Sequence, residues 1–136
     1  MSAELPEYFF RVRENGAMVF RIDTENRQNR IEMDQIAVVN VKNGDVKAHG
    51  QTDLSDVDRA AIDDWLNKRR RQLADREVDD ILRTVDRLNL TAAWAQQKAS
   101  PEELNAVSDA LLLAMHDLRS VLVRKKSDQL RKDAAE

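Results

Sequence analysis

The apolar residues of this chain change period near residue 53, and that change limits the fold more than any single motif. Before it, apolar and polar residues alternate as in half-buried strands. After it, apolar residues recur every three or four positions, as on helix faces. Strands followed by helices in 136 residues specify one α+β domain. The expected architecture is a four-stranded antiparallel meander, roughly 7–13, 17–23, 30–42 and 45–49, covered on one face by two or three long helices. The β-meander part, 1–52, lacks a cover by itself, and the helical part, 53–136, lacks a full core, so the two are expected to form a single domain.

Two of the three glycines follow asparagine, at Asn15-Gly16 and Asn43-Gly44, each between strand-like runs. Asn-Gly is the strongest short-range hairpin signal. At the first site a three-residue loop, Glu14-Asn15-Gly16, pairs Val12 with Met18, Phe10 with Phe20 and Tyr8 with Ile22. That register makes one continuous apolar face, with Gly16 in a left-handed conformation at a bulge. At the second site a two-residue Asn43-Gly44 turn pairs Lys42 with Asp45, Val41 with Val46 and Val39 with Ala48. Between the hairpins, residues 24–29 read as a polar connection. The opposite face then carries Arg11, Arg21, Glu32 and Asp34, with Phe9, Val19, Ile36 and Val38 as its apolar remainder. A contiguous strip of that kind marks a candidate interface, with Ile36 and Val38 at its centre.

In the helical part, Ser55 is the expected N-cap, with Asp56 and Asp58 favourably placed in the first turn. Val57, Ala61, Ile62, Trp65 and Leu66 form the apolar stripe, with Trp65 in the core. The stripe resumes at Val78, Ile81, Val85 and Leu88, leaving open whether the helix is continuous or broken near Ala74. The last helix, expected over 101–126, has Ser100 at its N-cap, Pro101 at N1 and Glu103 at N3 of a capping box. Its Leu104, Val107, Leu111, Leu118 and Val121 repeat in a three-four rhythm, which Leu112, Leu113, Met115 and Leu122 broaden. An arc that wide needs more than one neighbour, and a second subunit is one candidate. The charged tail after Lys126 is expected to fray.

The chain contains no cysteine, which excludes disulfides, thiolate metal sites and thiol nucleophiles. The formal charge of −3 argues against a globally basic nucleic-acid binder. No stretch has the length and apolarity of a membrane span, and the N-terminus lacks a signal-peptide pattern, so a cytoplasmic protein is expected. The two histidines, His49 and His116, are too few for a zinc site, and His116, Asp117 and Ser120 share one helix without a nucleophile elbow. The acidic doublets Asp63-Asp64 and Asp79-Asp80 read as solvated helix faces, because adjacent side chains diverge by about 100°. No glycine-rich phosphate loop is present.

These residues support no enzyme, cofactor or metal. The expected role is a protein-interaction or assembly module, homodimeric, with Ile36, Val38, Trp94, Leu112 and Met115 as candidate interface residues. The alternative is a small DNA-binding regulator, with Lys68, Arg69, Arg70 and Arg71 as candidate phosphate contacts.

Overall fold

The computed structural model describes residues 5–23 and 31–135. Four strands, β1 (Tyr8–Arg13), β2 (Gly16–Asp23), β3 (Glu32–Asn40) and β4 (Val46–Ala48), form one antiparallel sheet in the order β1-β2-β3-β4. Two helices follow, α1 (Asp56–Gln97) and α2 (Pro101–Ala134). The expected α+β class and meander are therefore present, with two helices. The polar connection expected at 24–29 lies outside the described residues. The chain forms two compact units, Met1–Ile81 and Leu82–Glu136.

In the first unit, both hairpin registers differ from expectation. β1 and β2 meet through a two-residue turn at Glu14-Asn15, pairing Arg13 with Gly16, Val12 with Ala17, Phe10 with Val19 and Tyr8 with Arg21. This is a one-residue slip, and it exchanges the faces of β2. Gly16 is not in a left-handed conformation but in the strand, opposite Asn40 of β3. A Cβ there would sit 1.9 Å from the Val39 carbonyl oxygen, so close backbone approach is what demands glycine. The second loop is also longer than expected: Val39 pairs with Val46 and the Asn40 amide donates to the Asp45 carbonyl, leaving residues 41–44 as the loop. Gly44 closes it at φ 78°, and the Asn40 side chain accepts from the amides of Lys42 and Asn43. Lys42 thus lies in the loop rather than across from Asp45.

A bulge in β3 completes the rearrangement. Val19 pairs with Ala37 but Phe20 with Gln35, so Ile36 is the extra residue. Ile36 is 2% exposed and belongs to the core with Ala17, Val19, Ala37, Val39, Ile62 and Leu66. The expected outward strip of Val19 and Ile36 is corrected accordingly: both point into the core, and Ile36 has no surface to offer a partner. Val38 does remain on the outer face and is exposed. Phe20 and Ile22, expected beneath the helices, lie on that outer face with Phe9 and Met33. Arg11 lies over the Phe20 ring, 4.6 Å from its centroid.

The sheet's cover within this unit is the first part of α1. Ile62 and Leu66 are buried there, and Trp65 stacks on Phe10 with ring centroids 4.8 Å apart and planes 3° from parallel. The Arg70 Nε donates to the Val41 carbonyl at 2.8 Å, tying the helix to the β3–β4 loop. α1 continues without a break through Ala74.

The second unit contains the end of α1 and all of α2. The capping box is formed as expected: Ser100 Oγ accepts from the Glu103 amide, and Glu103 Oε1 accepts from the Ser100 amide. These bonds hold the exposed Glu103 carboxyl below its ordinary range. α2 does not fray after Lys126 but runs to Ala134. Gln129, Leu130, Arg131 and Lys132 are strong helix formers, and the last two complement the dipole in the final turn.

Candidate functional site

The first unit contains one buried charge among its described residues. Asp58, 1% exposed, is the N3 residue of α1. Its amide donates to Ser55 Oγ, and its Oδ2 accepts from the Ser55 amide, so Ser55 is the N-cap of a second capping box. The sheet supplies two further donors, the Tyr8 hydroxyl to Oδ1 and the Arg21 guanidinium to Oδ2. Tyr8 and Arg21 are neighbours in the observed register, which is what brings both onto one carboxylate. Burial opposes ionisation of Asp58, but the bonds from Tyr8, Ser55 and Arg21 outweigh it and lower its pKa to about 2. Burial and the bond to Asp58 raise the Tyr8 hydroxyl to about 12. Tyr8 and Arg21 hold strand to helix, and Ser55 closes the cap. The cluster is a clamp, with neither a free base nor a nucleophile at pH 7.

The expected basic cluster lies on α1, and its side chains are partly engaged within the chain. Lys68 pairs with Asp64 at 3.0 Å, Arg69 donates to Gln72, and Arg70 holds the Val41 carbonyl. A depression of about 430 Å³ runs along this stretch, where Lys68, Arg71 and Arg76 alternate with Asp75 and Asp79. Such alternation does not concentrate positive potential as a phosphate track does. A smaller crevice of about 110 Å³ lies between the β1–β2 turn and α1, with Arg13, Lys42, Arg69 and Glu14 among its lining residues. Among the described residues no group of three or more metal-ligating side chains converges. His49 and His116 are both exposed. No described helix is long and apolar enough to cross a membrane.

The second unit has a different character, because it has too much apolar surface for its core. On α1, Leu88, Thr91, Trp94 and Ala95 are half-buried, and so are Leu104, Val107 and Leu111 on α2. These are the facing positions of a helical hairpin. A second set lies to the side. On a helix of 3.6 residues per turn, Val85 falls roughly 70° and Leu82 roughly 130° round from Leu88 and Ala95. Leu112 and Val123 fall roughly 100° round from Leu104 and Leu111, whereas Met115 and Leu122 lie within about 40° of them, at the edge of the same stripe. Leu82, Val85, Leu112, Met115, Leu122 and Val123 are between 49% and 64% exposed, and α2 has no buried residue along its whole length. Of the residues singled out in the sequence, Leu112 therefore lies on this lateral face of the second unit, and Met115 lies at the edge of the half-buried stripe. Trp94 is half-buried on the hairpin side, and Val38 lies on the sheet's outer face in the first unit. The breadth of the α2 stripe was the sequence signal for this surface; the register of the sheet had none. No family model, characterised protein or solved structure matches the chain.

Proposed function

We propose that this chain is a non-enzymatic assembly module whose second unit associates with a second copy of itself. The carrying observation is the lateral apolar face of the hairpin. A helix in a four-helix bundle has two neighbours at about right angles, and so needs a wider apolar arc than a two-helix hairpin uses. The lateral set supplies that second arc on both helices.

The area supports the same reading. Full burial of an aliphatic side chain removes roughly 60–120 Å² of apolar surface, from about 1.5–3 kcal/mol at about 25 cal/mol per Å². Leu82, Val85, Leu112, Met115, Leu118, Leu122, Val123 and Leu130, each about half or more exposed, then leave on the order of 400 Å². With the polar rim of an ordinary interface this becomes roughly 700 Å² per copy, close to one side of a stable complex. Light scattering across a wide concentration range tests the proposal. A dimeric mass at micromolar concentration is expected, and a monomer throughout would remove it.

A further inference from the structure

Resting on the dimer reading, we infer that α2 pairs antiparallel with α2 of the second copy, about a twofold axis near Asp117–Leu118. The observation is the division of charge along the helix. From Pro101 to Asp117, α2 carries Glu102, Glu103, Asp109 and Asp117 and neither lysine nor arginine. From Leu118 to Ala134 it carries Arg119, Arg124, Lys125, Lys126, Arg131 and Lys132 against Asp128 and Asp133. The net charge of the helix is negative before its middle and positive after it.

The helix's own dipole accounts for the ends of this pattern but not for its centre. Glu102 and Glu103 lie in the first turn and Arg131 and Lys132 in the last, where the dipole acts. Asp109, Asp117, Arg119 and the Arg124–Lys126 run lie well inside, where that influence has decayed. A partner helix running the other way brings the acidic half of one copy against the basic half of the other. It sets Asp109 near Lys126 and Glu103 near Lys132 of the second copy, whereas a parallel partner sets acid against acid and base against base.

The apolar patch has the same centre. Leu112 and Val123, near the two limits of its densest part, are equidistant from the Asp117–Leu118 bond, and Met115, Leu118 and Leu122 lie between them. Reversal about this point exchanges Leu112 with Val123, which lie within about 20° of each other round the helix, so this pair satisfies the requirement of a twofold interface, where the same surface serves both copies. In that arrangement Leu112 meets Val123 of the second copy on each side of the axis, and the oppositely charged halves lie outside these two contacts.

The absence of cysteine makes the orientation directly measurable. Asn105 and Leu130 are both exposed and lie at equal distances from the proposed axis. Asn105→Cys and Leu130→Cys variants of the full chain are refolded separately and together, then oxidised. Antiparallel pairing places residue 105 of one copy beside residue 130 of the other. It also holds two copies of residue 130 about 37 Å apart, far beyond disulfide reach. The expected result is a disulfide dimer in the mixed sample, formed at least about tenfold faster than in either single sample, since held thiols meet at a high effective concentration. Equally fast cross-linking of Leu130→Cys alone would overturn the orientation and leave the dimer standing. So would a dimeric mass with no cross-link in any sample. A monomeric mass for the unmodified chain would remove both the orientation and the assembly reading.

Discussion

Asp58 shows how one side chain ties three stretches of chain together. It accepts from β1, β2 and the residue that caps its own helix. Replacing it with alanine leaves the Tyr8 hydroxyl and the Arg21 guanidinium unpartnered and opens the capping box. Breaking a fully buried pair costs about 3–5 kcal/mol. The Arg21 side chain is 47% exposed, so solvent screens part of that charge. The expected loss for Asp58→Ala is about 2–3 kcal/mol by urea denaturation. Acid dependence follows from the depressed pKa. The Asp58 contribution is complete above its ordinary value of 3.8 and disappears as pH falls through about 2. A shift of that size corresponds to at most about 2 kcal/mol, and Asp58→Asn should flatten the fall in stability over that range. The Tyr8 contribution has the opposite sign: present below 10.0, it is lost as pH rises toward about 12. Glycine substitution gives a separate check. Gly16→Ala forces a Cβ against the Val39 carbonyl and should cost at least about 2 kcal/mol. Gly50, at φ 58° with open space around it, should cost only about 1 kcal/mol when replaced by alanine. The Ser55 cap was legible in sequence because capping is local. The partners of Asp58, Tyr8 at 50 residues' separation and Arg21 at 37, were not, because only the sheet register brings them together.

The elements themselves were read with unequal success, and the cause is visible in β2. Ala17, Met18, Val19 and Phe20 are all apolar, so alternation along this strand cannot decide which parity faces the helix. Asn15-Gly16 then favours a glycine-containing loop by local preference, while the tertiary requirement places Gly16 inside the strand against β3. Tertiary packing wins, and every side chain of β2 changes face. The bulge at Ile36 has a similar origin: it turns an even-numbered residue inward beside the odd-numbered Ala37 and Val39, which period-two counting cannot anticipate. The helices were easier, because their caps and three-four rhythm are local and repeated. Both capping serines are where their spacing puts them, and only the extent of α2 past Lys126 was underestimated. At this scale, Ser100→Ala should destabilise the second unit by about 1 kcal/mol, read from the helical signal in thermal unfolding. Ser100→Asp should restore most of it, since aspartate caps about as well as serine.

For the whole chain, the decisive property is that its two units differ in what they bury. The first has a connected core of seven buried apolar residues beneath Trp65. The second has the end of α1 and all of α2, with no buried side chain on α2. On the proposed assembly this unit is stabilised by association, and its stability then depends on protein concentration in a way that a self-contained domain's does not. A tenfold rise in concentration adds about 1.4 kcal/mol to the stability of a dimer. For a chain pair of this size that corresponds to a rise in Tm of roughly 3 °C. Calorimetry over two decades of concentration should therefore show a progressive increase in the transition of the second unit. Leu112→Glu places a charge on the lateral face, where it costs nothing in an isolated hairpin because the site is already exposed. In the dimer the same charge must be desolvated against Val123 of the second copy. The variant should therefore run as a monomer and lose the concentration dependence. Its first unit should be unaffected: the Asp58 clamp and the Phe10–Trp65 stack lie on other residues. A variant that stays dimeric with an unchanged slope would place the contact elsewhere than on this face.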